Sequence, residues 1–452
     1  MQPLPAMNET APPRQVSRRE AFLYWLKLGF ISFGGPAGQI ALMHTELVER
    51  RRWISEGRFL HALNYCMLLP GPEATQLAVY IGWLLHRTRG GIVAGVLFIL
   101  PSLLLLMGLA WIYLAYGHLP VLAGIMDGIK PAVVAIVLAA AWRLGSRTLR
   151  NGILIAIAAL AFVAIALLQL PFPLIVLGAA VAGAVGVRLR PSAFLAPGSA
   201  SAHGGAQRTS AAPALIDDDT PTPAHARFSW PRLALVALGG VALMGLAWLA
   251  LAAWGGTHGT LAQMGWFFSK AALLTFGGAY AVLPYVVQGA VEHYGWLDAT
   301  QMIDGLALGE TTPGPLIMIV AFVGFVGGWT HALLGPQALP LAGLLGGAVA
   351  ALFTFLPSFI FILAGGPLVE ATRGDLRLTA PLTAISAAVV GVIASLAVYF
   401  GREVFFAGGV FQPAALVIGA LAAVALLRYR VGTIKLLAAC ALAGLVLSYW
   451  YG

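Results

Sequence analysis

Leu68-Leu69-Pro70-Gly71-Pro72-Glu73 interrupts one apolar stretch of the chain, and Thr311-Thr312-Pro313-Gly314-Pro315-Leu316 interrupts another in the same way. Phe33-Gly34-Gly35 returns as Phe276-Gly277-Gly278 and Trp53 as Trp296; the differences 276 − 33, 296 − 53 and 313 − 70 all give 243. The chain is a tandem duplication. Lys27, Val48, Glu49 and Leu63 find their own kind in Lys270, Val291, Glu292 and Leu306 at the same offset. Leu100-Pro101-Ser102 pairs later with Leu356-Pro357-Ser358, 256 positions on, which puts an insertion near 328–340 in the second copy. Repeated Gly-Pro punctuation inside apolar segments marks helices broken at depth in a membrane.

Composition agrees. With 60% hydrophobic and 10% charged residues, the chain is too apolar for a soluble globule, whose charged share is about a quarter. Apolar runs at 90–116, 150–169, 233–254, 338–364 and 432–450 approach or exceed the ~20 residues that span ~30 Å of hydrocarbon. Residues 1–20 are polar and carry no signal-peptide pattern. The net charge of +9 sits in loop clusters beside the spans, so it sets orientation and does not point to nucleic acid. Cys66 and Cys440 lie in apolar segments, and no cofactor, metal or catalytic motif is indicated.

Basic clusters mark the cytoplasmic side. Arg14, Arg18 and Arg19 precede the segment 21–48, and Arg50, Arg51, Arg52 and Arg58 follow it, so both of its ends read as cytoplasmic. The arm 21–33 is only about 20 Å long at 1.5 Å per residue, too short to span. Segments 21–48 and 59–86 are therefore expected as re-entrant hairpins with tips at Gly34-Gly35-Pro36 and Pro70-Gly71-Pro72, followed by crossings at 90–116, 121–142, 150–169 and 172–187. Plain crossings throughout are the alternative. Residues 191–230, rich in Ala, Pro and Ser with Asp217-Asp218-Asp219, are expected to be a disordered cytoplasmic linker. The predicted organisation is a tail (1–20), repeat 1 (21–190), that linker, a connecting span (231–260) and repeat 2 (261–452). The extra span makes repeat 2 start on the opposite face. The fold class is thus an all-α polytopic membrane protein with two inverted-topology repeats, the plan of many secondary transporters.

Each broken tip restarts a helix, at Pro36, Pro72, Ala279 and Pro315, leaving unpaired N–H groups and a positive dipole end directed inward. Four such ends converging would cradle an oxyanion; the bland reading is that Gly-Pro kinks only help helices pack. Candidate anion contacts are Gly34, Gly35, Gly71, Gly277, Gly278 and Gly314, with the hydroxyl and amide groups of Ser32, Gln39, Asn64, Gln76, Thr275, Thr311 and Thr312. Lys27 and Lys270 would balance a dianion, although each is near enough to its arm's start to snorkel out. Glu73 and Glu310 break the symmetry, aligning with Leu316 and Met67. Glu73 can cap a helix, bind the anion or take part in coupling, and Glu310, at the close of an arm, is the preferred coupling residue. Asp127 and Lys130 read as a neutralising pair. Trp53 and Trp296 read as interfacial anchors.

The motifs Phe33 to Pro36, Glu46 to Trp53, Leu68 to Glu73, Tyr80-Ile81-Gly82-Trp83, Thr275 to Gly278 and Gly309 to Pro315 together resemble the chromate ion transporter family in its long, two-domain form. The resemblance runs from about residue 20 to the C-terminus, linker excepted. It implies a multi-pass bacterial inner-membrane protein that exports chromate and confers chromate resistance, with sulfate as the related anion. Proton motive force or anion exchange would drive it. Thr75 stands where the family more often has Gln. The partners implied are chromate or sulfate and the lipid bilayer. A homodimer is among the assemblies left open, as are an oxyanion importer or antiporter of the same fold and an anion channel.

Overall fold

The computed structural model describes residues 15–194, 214–221, 223–276, 278–371 and 379–451. Repeat 1 comprises α1 (Arg18–Ile31), α2 (Gly35–His44), α3 (Glu56–Leu68), α4 (Glu73–Tyr116), α5 (Pro120–Thr148), α6 (Gly152–Ala166) and α7 (Phe172–Leu189). A short α8 (Pro191–Phe194) and the long α9 (Trp230–Gly255) lead to repeat 2. That copy runs α10 (Thr260–Leu273), α11 (Ala279–Val287), α12 (Ala299–Thr311), α13 (Ile319–Thr330), α14 (Leu339–Ala371), α15 (Thr379–Phe405), α16 (Pro413–Leu427) and α17 (Thr433–Tyr451). Seven of these helices are long and apolar enough to cross a bilayer, α4, α5, α7, α9, α14, α15 and α17. The fold is all-α and polytopic.

Each predicted tip is a break. α1 stops at Ile31 and α2 starts at Gly35; α3 stops at Leu68 and α4 starts at Glu73. In repeat 2, α11 starts at Ala279, but the chain beyond Pro315 first makes a 3-10 turn, Leu316–Met318. After its break each first hairpin passes into a π-helical turn, Thr45–Arg50 in one copy and Gln288–His293 in the other, at the same 243-residue offset.

The hairpins return to the end where they began. Arg51, past the π turn, pairs with Glu20 at the head of α1 at 3.4 Å and lies 5.1 Å over the Tyr24 ring. Tyr24 and Trp53 meet edge-on at 5.2 Å. In repeat 2 the equivalent positions are Phe267, Tyr294 and Trp296, with Phe267 5.4 Å from Trp296 and Tyr294 stacked on Trp296 at 4.6 Å. Both tryptophans are therefore buried clamps across a hairpin base, not interfacial anchors. The second hairpin of repeat 1 closes similarly, since Arg58 of α3 and Tyr80 of α4 both reach Glu370.

α4 bends at His86 and Arg87, where the backbone leaves helical values, and then runs on as a span. In repeat 2 the corresponding bend is opened into the loop between α13 and α14, which accounts for the predicted insertion. His86 bonds the Val16 carbonyl at 2.9 Å, at the base of repeat 1. From Thr88 to Tyr113 the helix rises ~38 Å, and Tyr113 there donates to Asp304 of α12 at 2.9 Å. One end of α4 thus meets the base of repeat 1, and the other meets α12 part-way along its length.

Packing between the copies is exchanged. α5 lies against α15, α16 and α17, while α15 lies against α5, α6 and α7. α9 has no buried residue and flanks α10 and α14 from outside.

Part of the linker differs from expectation. Leu215 and Ile216 donate to the carbonyls of Arg52 and Trp53, and Ser55 N–H donates to Ile216. Ser55 Oγ donates to Asp218 at 2.7 Å, Arg58 donates to the Thr220 carbonyl, and His225 bonds the Trp83 carbonyl at 3.2 Å. Residues 214–221 and 223–226 are thus docked on the base of repeat 1, because Ile216 and Ala226 supply the apolar contacts that the rest of the linker's composition lacks. Residues 195–213 lie outside the described set.

Candidate anion site at the junction of the repeats

The tips meet in pairs, each pair drawn from both copies. Gly71 N–H donates to the Thr275 carbonyl at 2.8 Å, and Gly314 N–H donates to the Ser32 carbonyl at 2.8 Å. These bonds are equivalents of each other under the 243-residue offset. Gln39 adds to the second pair, its Nε2 donating to the Gly314 carbonyl at 2.5 Å and to the Ser32 carbonyl at 3.3 Å. Gln76 Nε2 donates to the Pro70 carbonyl at 2.7 Å.

The long helices close the junction. Ser102 of α4 stands against Gly314, where a Cβ would fall 2.8 Å from its Oγ. Ser358 of α14 stands against Gly71, where a Cβ would collide with its Oγ and fall 2.8 Å from Gln76 Nε2. Each copy therefore puts the serine of its Leu-Pro-Ser motif on the other copy's Pro-Gly-Pro corner. Neither serine was singled out as a site residue from the sequence, although the 256-residue pairing was the available signal.

Six buried oxygens here have no hydrogen-bond partner among the described residues: Ser32 Oγ, Gln39 Oε1, Thr75 Oγ1, Gln76 Oε1, Ser102 Oγ and Ser358 Oγ. Burying such groups unpaired costs roughly 1–3 kcal/mol each, so their grouping is chemically expensive. The wall is asymmetric. Thr75, Gln76 and Gln39 have Met318, Ile319 and Val282 as their equivalents, so repeat 1 supplies most of the polarity.

The remaining candidates are placed as follows. Thr275, Thr311 and Thr312 spend their hydroxyls on the carbonyls of Ala271, Leu308 and Gly309. Gly34, Gly35 and Gly278 hold positive φ at the first tips; Gly277 lies outside the described residues. Glu73 is half-buried in the first turn of α4, on the face of Gln76. Glu310 accepts from Tyr280, at the start of α11. Asn64 is exposed on α3. Lys27 is exposed on α1, and Lys270 sits 5.5 Å over the Trp266 ring, so neither ammonium contacts a tip among the described residues. Lys130 bonds Asp127 at 2.9 Å and lies 3.9 Å from Asp304.

The N–H groups of Gly71 and Gly314, expected to face an anion, are thus already engaged across the copies. What remains at the junction is hydroxyls and carboxamide oxygens around two dipole ends.

A duplicated unit of broken half-helices and long spans, sharing one polar junction, defines a multi-pass membrane protein. The chain belongs to the chromate transporter family, whose pattern matches residues 19–184 and 262–445. It is similar to a chromate transport protein of Cupriavidus metallidurans, 28% identical over 390 residues, 85% of this chain and 83% of that one. It is also similar to one of Pseudomonas aeruginosa, 33% identical over 392 residues, 86% and 82% of the two chains. A Bacillus subtilis transporter matches 28% of this chain at 32% identity, covering 64% of its own length. No solved structure matches the chain.

Proposed function

We propose that the protein is a secondary transporter that exports chromate from the cytoplasm across the inner membrane, with sulfate as the related dianion. The observation that carries this reading is the reciprocal pairing of tips, Gly71 with Thr275 and Gly314 with Ser32, in which each break of one copy is bonded to a break of the other. Family membership and the relatives' names supply the substrate.

Contact of one end of α4 with the base of repeat 1 and of the other with α12 supports inverted repeats, and the basic residues Arg50, Arg51 and Arg52 favour a cytoplasmic base for repeat 1. Rocking of one set of elements against the other would then expose the junction to each side in turn. Glu310, held by Tyr280, is the candidate for proton coupling.

Radiolabelled chromate flux into everted vesicles tests the reading. Saturable uptake competed by sulfate and abolished by an uncoupler is expected. Uncoupled conductance without saturation would make the protein a channel, and flux only in right-side-out vesicles would make it an importer.

A further inference from the structure

We infer that the Gly71 side of the junction is a binding site for a small monovalent cation of the sodium type, held by Gln76 Oε1, Ser358 Oγ and the Glu73 carboxylate. Its role in transport rests on the proposed function; the binding does not.

The direction in which the carboxamides point is fixed by their bonds. Gln76 donates its Nε2 to the Pro70 carbonyl, so its oxygen faces the other way and is left buried without a partner among the described residues. That oxygen can only accept. Ser358 Oγ is brought to the same glycine by the other repeat and is likewise buried and without a partner. Glu73 lies three residues before Gln76, on the same face of α4.

An oxyanion needs donors, and what sets this side apart from the Gly314 side is a carboxylate, on the same helical face as an acceptor-only amide oxygen and beside a hydroxyl that can accept as well as donate. The backbone N–H of Gly71 already donates to Thr275, and Gln76 Nε2 to Pro70. A hard cation needs oxygen ligands, carboxylates, carbonyls and hydroxyls among them. Broken helices that point carbonyl ends into a membrane site are a recurring way to hold a coupling sodium ion, and α3 ends at Leu68, just before this corner. The two lysines expected to offset a dianion are elsewhere, at an exposed face and over Trp266. A bound cation would supply the positive charge that those side chains do not bring. Ser32 and Ser102 remain on the Gly314 side as hydroxyl donors for the dianion.

The test is binding of radioactive sodium to the purified full-length protein in lipid nanodiscs, in choline buffer without chromate or sulfate. Saturable binding is expected, with potassium competing poorly. Ser358→Ala and Gln76→Leu should each weaken it by about tenfold or more, whereas Ser395→Ala, a buried serine bonded within its own helix, should not. Sodium should raise the thermal midpoint of the wild-type protein but not of Gln76→Leu, which separates lost binding from lost folding. No saturable binding across physiological sodium concentrations would overturn the proposal and leave buried water as the partner of these oxygens. Sodium binding without chromate flux would instead sink the proposed function alone, and chromate flux unchanged in choline would remove the cation from the transport cycle.

Discussion

A single methyl group at Gly71 or Gly314 would meet the serine of the opposite repeat, at a residue whose φ is +118° or +105°. Strain and overpacking there cost roughly 1–3 kcal/mol each. Gly71→Ala and Gly314→Ala are therefore expected to lower both the thermal midpoint and chromate flux, while Gly152→Ala, at an open position, leaves both unchanged. At this scale the sequence was legible in part. Pro-Gly-Pro and Phe-Gly-Gly announced the breaks, because backbone conformation is locally encoded. Ser102 and Ser358 went unread because what matters about them is a contact with the other copy. Lys27 and Lys270 recur at matched positions, yet side-chain direction depends on which face of α1 and α10 is covered, and that is a property of packing.

Among elements, the ion pair between α3 and α14 is the most informative. Arg58 and Glu370 stand 3.6 Å apart with each side chain 3% exposed. Neutralising one partner leaves the other charge buried, at a cost of about 3–5 kcal/mol. Glu370→Gln should accordingly destabilise the protein strongly, and Arg58→Met combined with it should restore part of the loss in a thermal unfolding series. The docked linker carries its own signal. Burial beside Trp83, with Arg87 and Arg232 nearby, holds the imidazole of His225 below its ordinary value of 6.5. Docking favours the neutral ring, so its contribution is present above the ordinary imidazole pKa and is lost as pH falls through the lowered one. Protease cleavage within 214–226 should therefore be slow at neutral pH and accelerate in acid, and His225→Gln should flatten that dependence. Composition averaged over 191–230 concealed this docking, since a few apolar residues suffice once a partner segment such as 52–55 is available. The π turns had no sequence signature at all.

For the molecule as a whole, the decisive prediction concerns sidedness. Cysteines placed at Arg51 and Tyr294, equivalent positions on the two hairpin bases, should react with impermeant reagents from opposite faces of the membrane. Labelling of both from one side would reject the inverted plan. Removal of 195–213 should leave chromate flux within about twofold. Duplication was legible because the offset is constant over the broken helices. Interleaving of the copies, with α5 among α15, α16 and α17, was not, because a repeat pattern reports shared ancestry and not which surfaces meet.

Arg58 with Glu370 ties the repeats together at one end of the bundle, and Lys130 with Asp304 does so at the other, but the second pair is longer, at 3.9 Å, and its lysine is 20% exposed. Water and salt reach the lysine of that outer fastening, whereas the first is sealed. Raising ionic strength should therefore weaken the Lys130 pair more than the Arg58 pair, leaving the Tyr113 hydrogen bond to Asp304 as the firmer tie at that end.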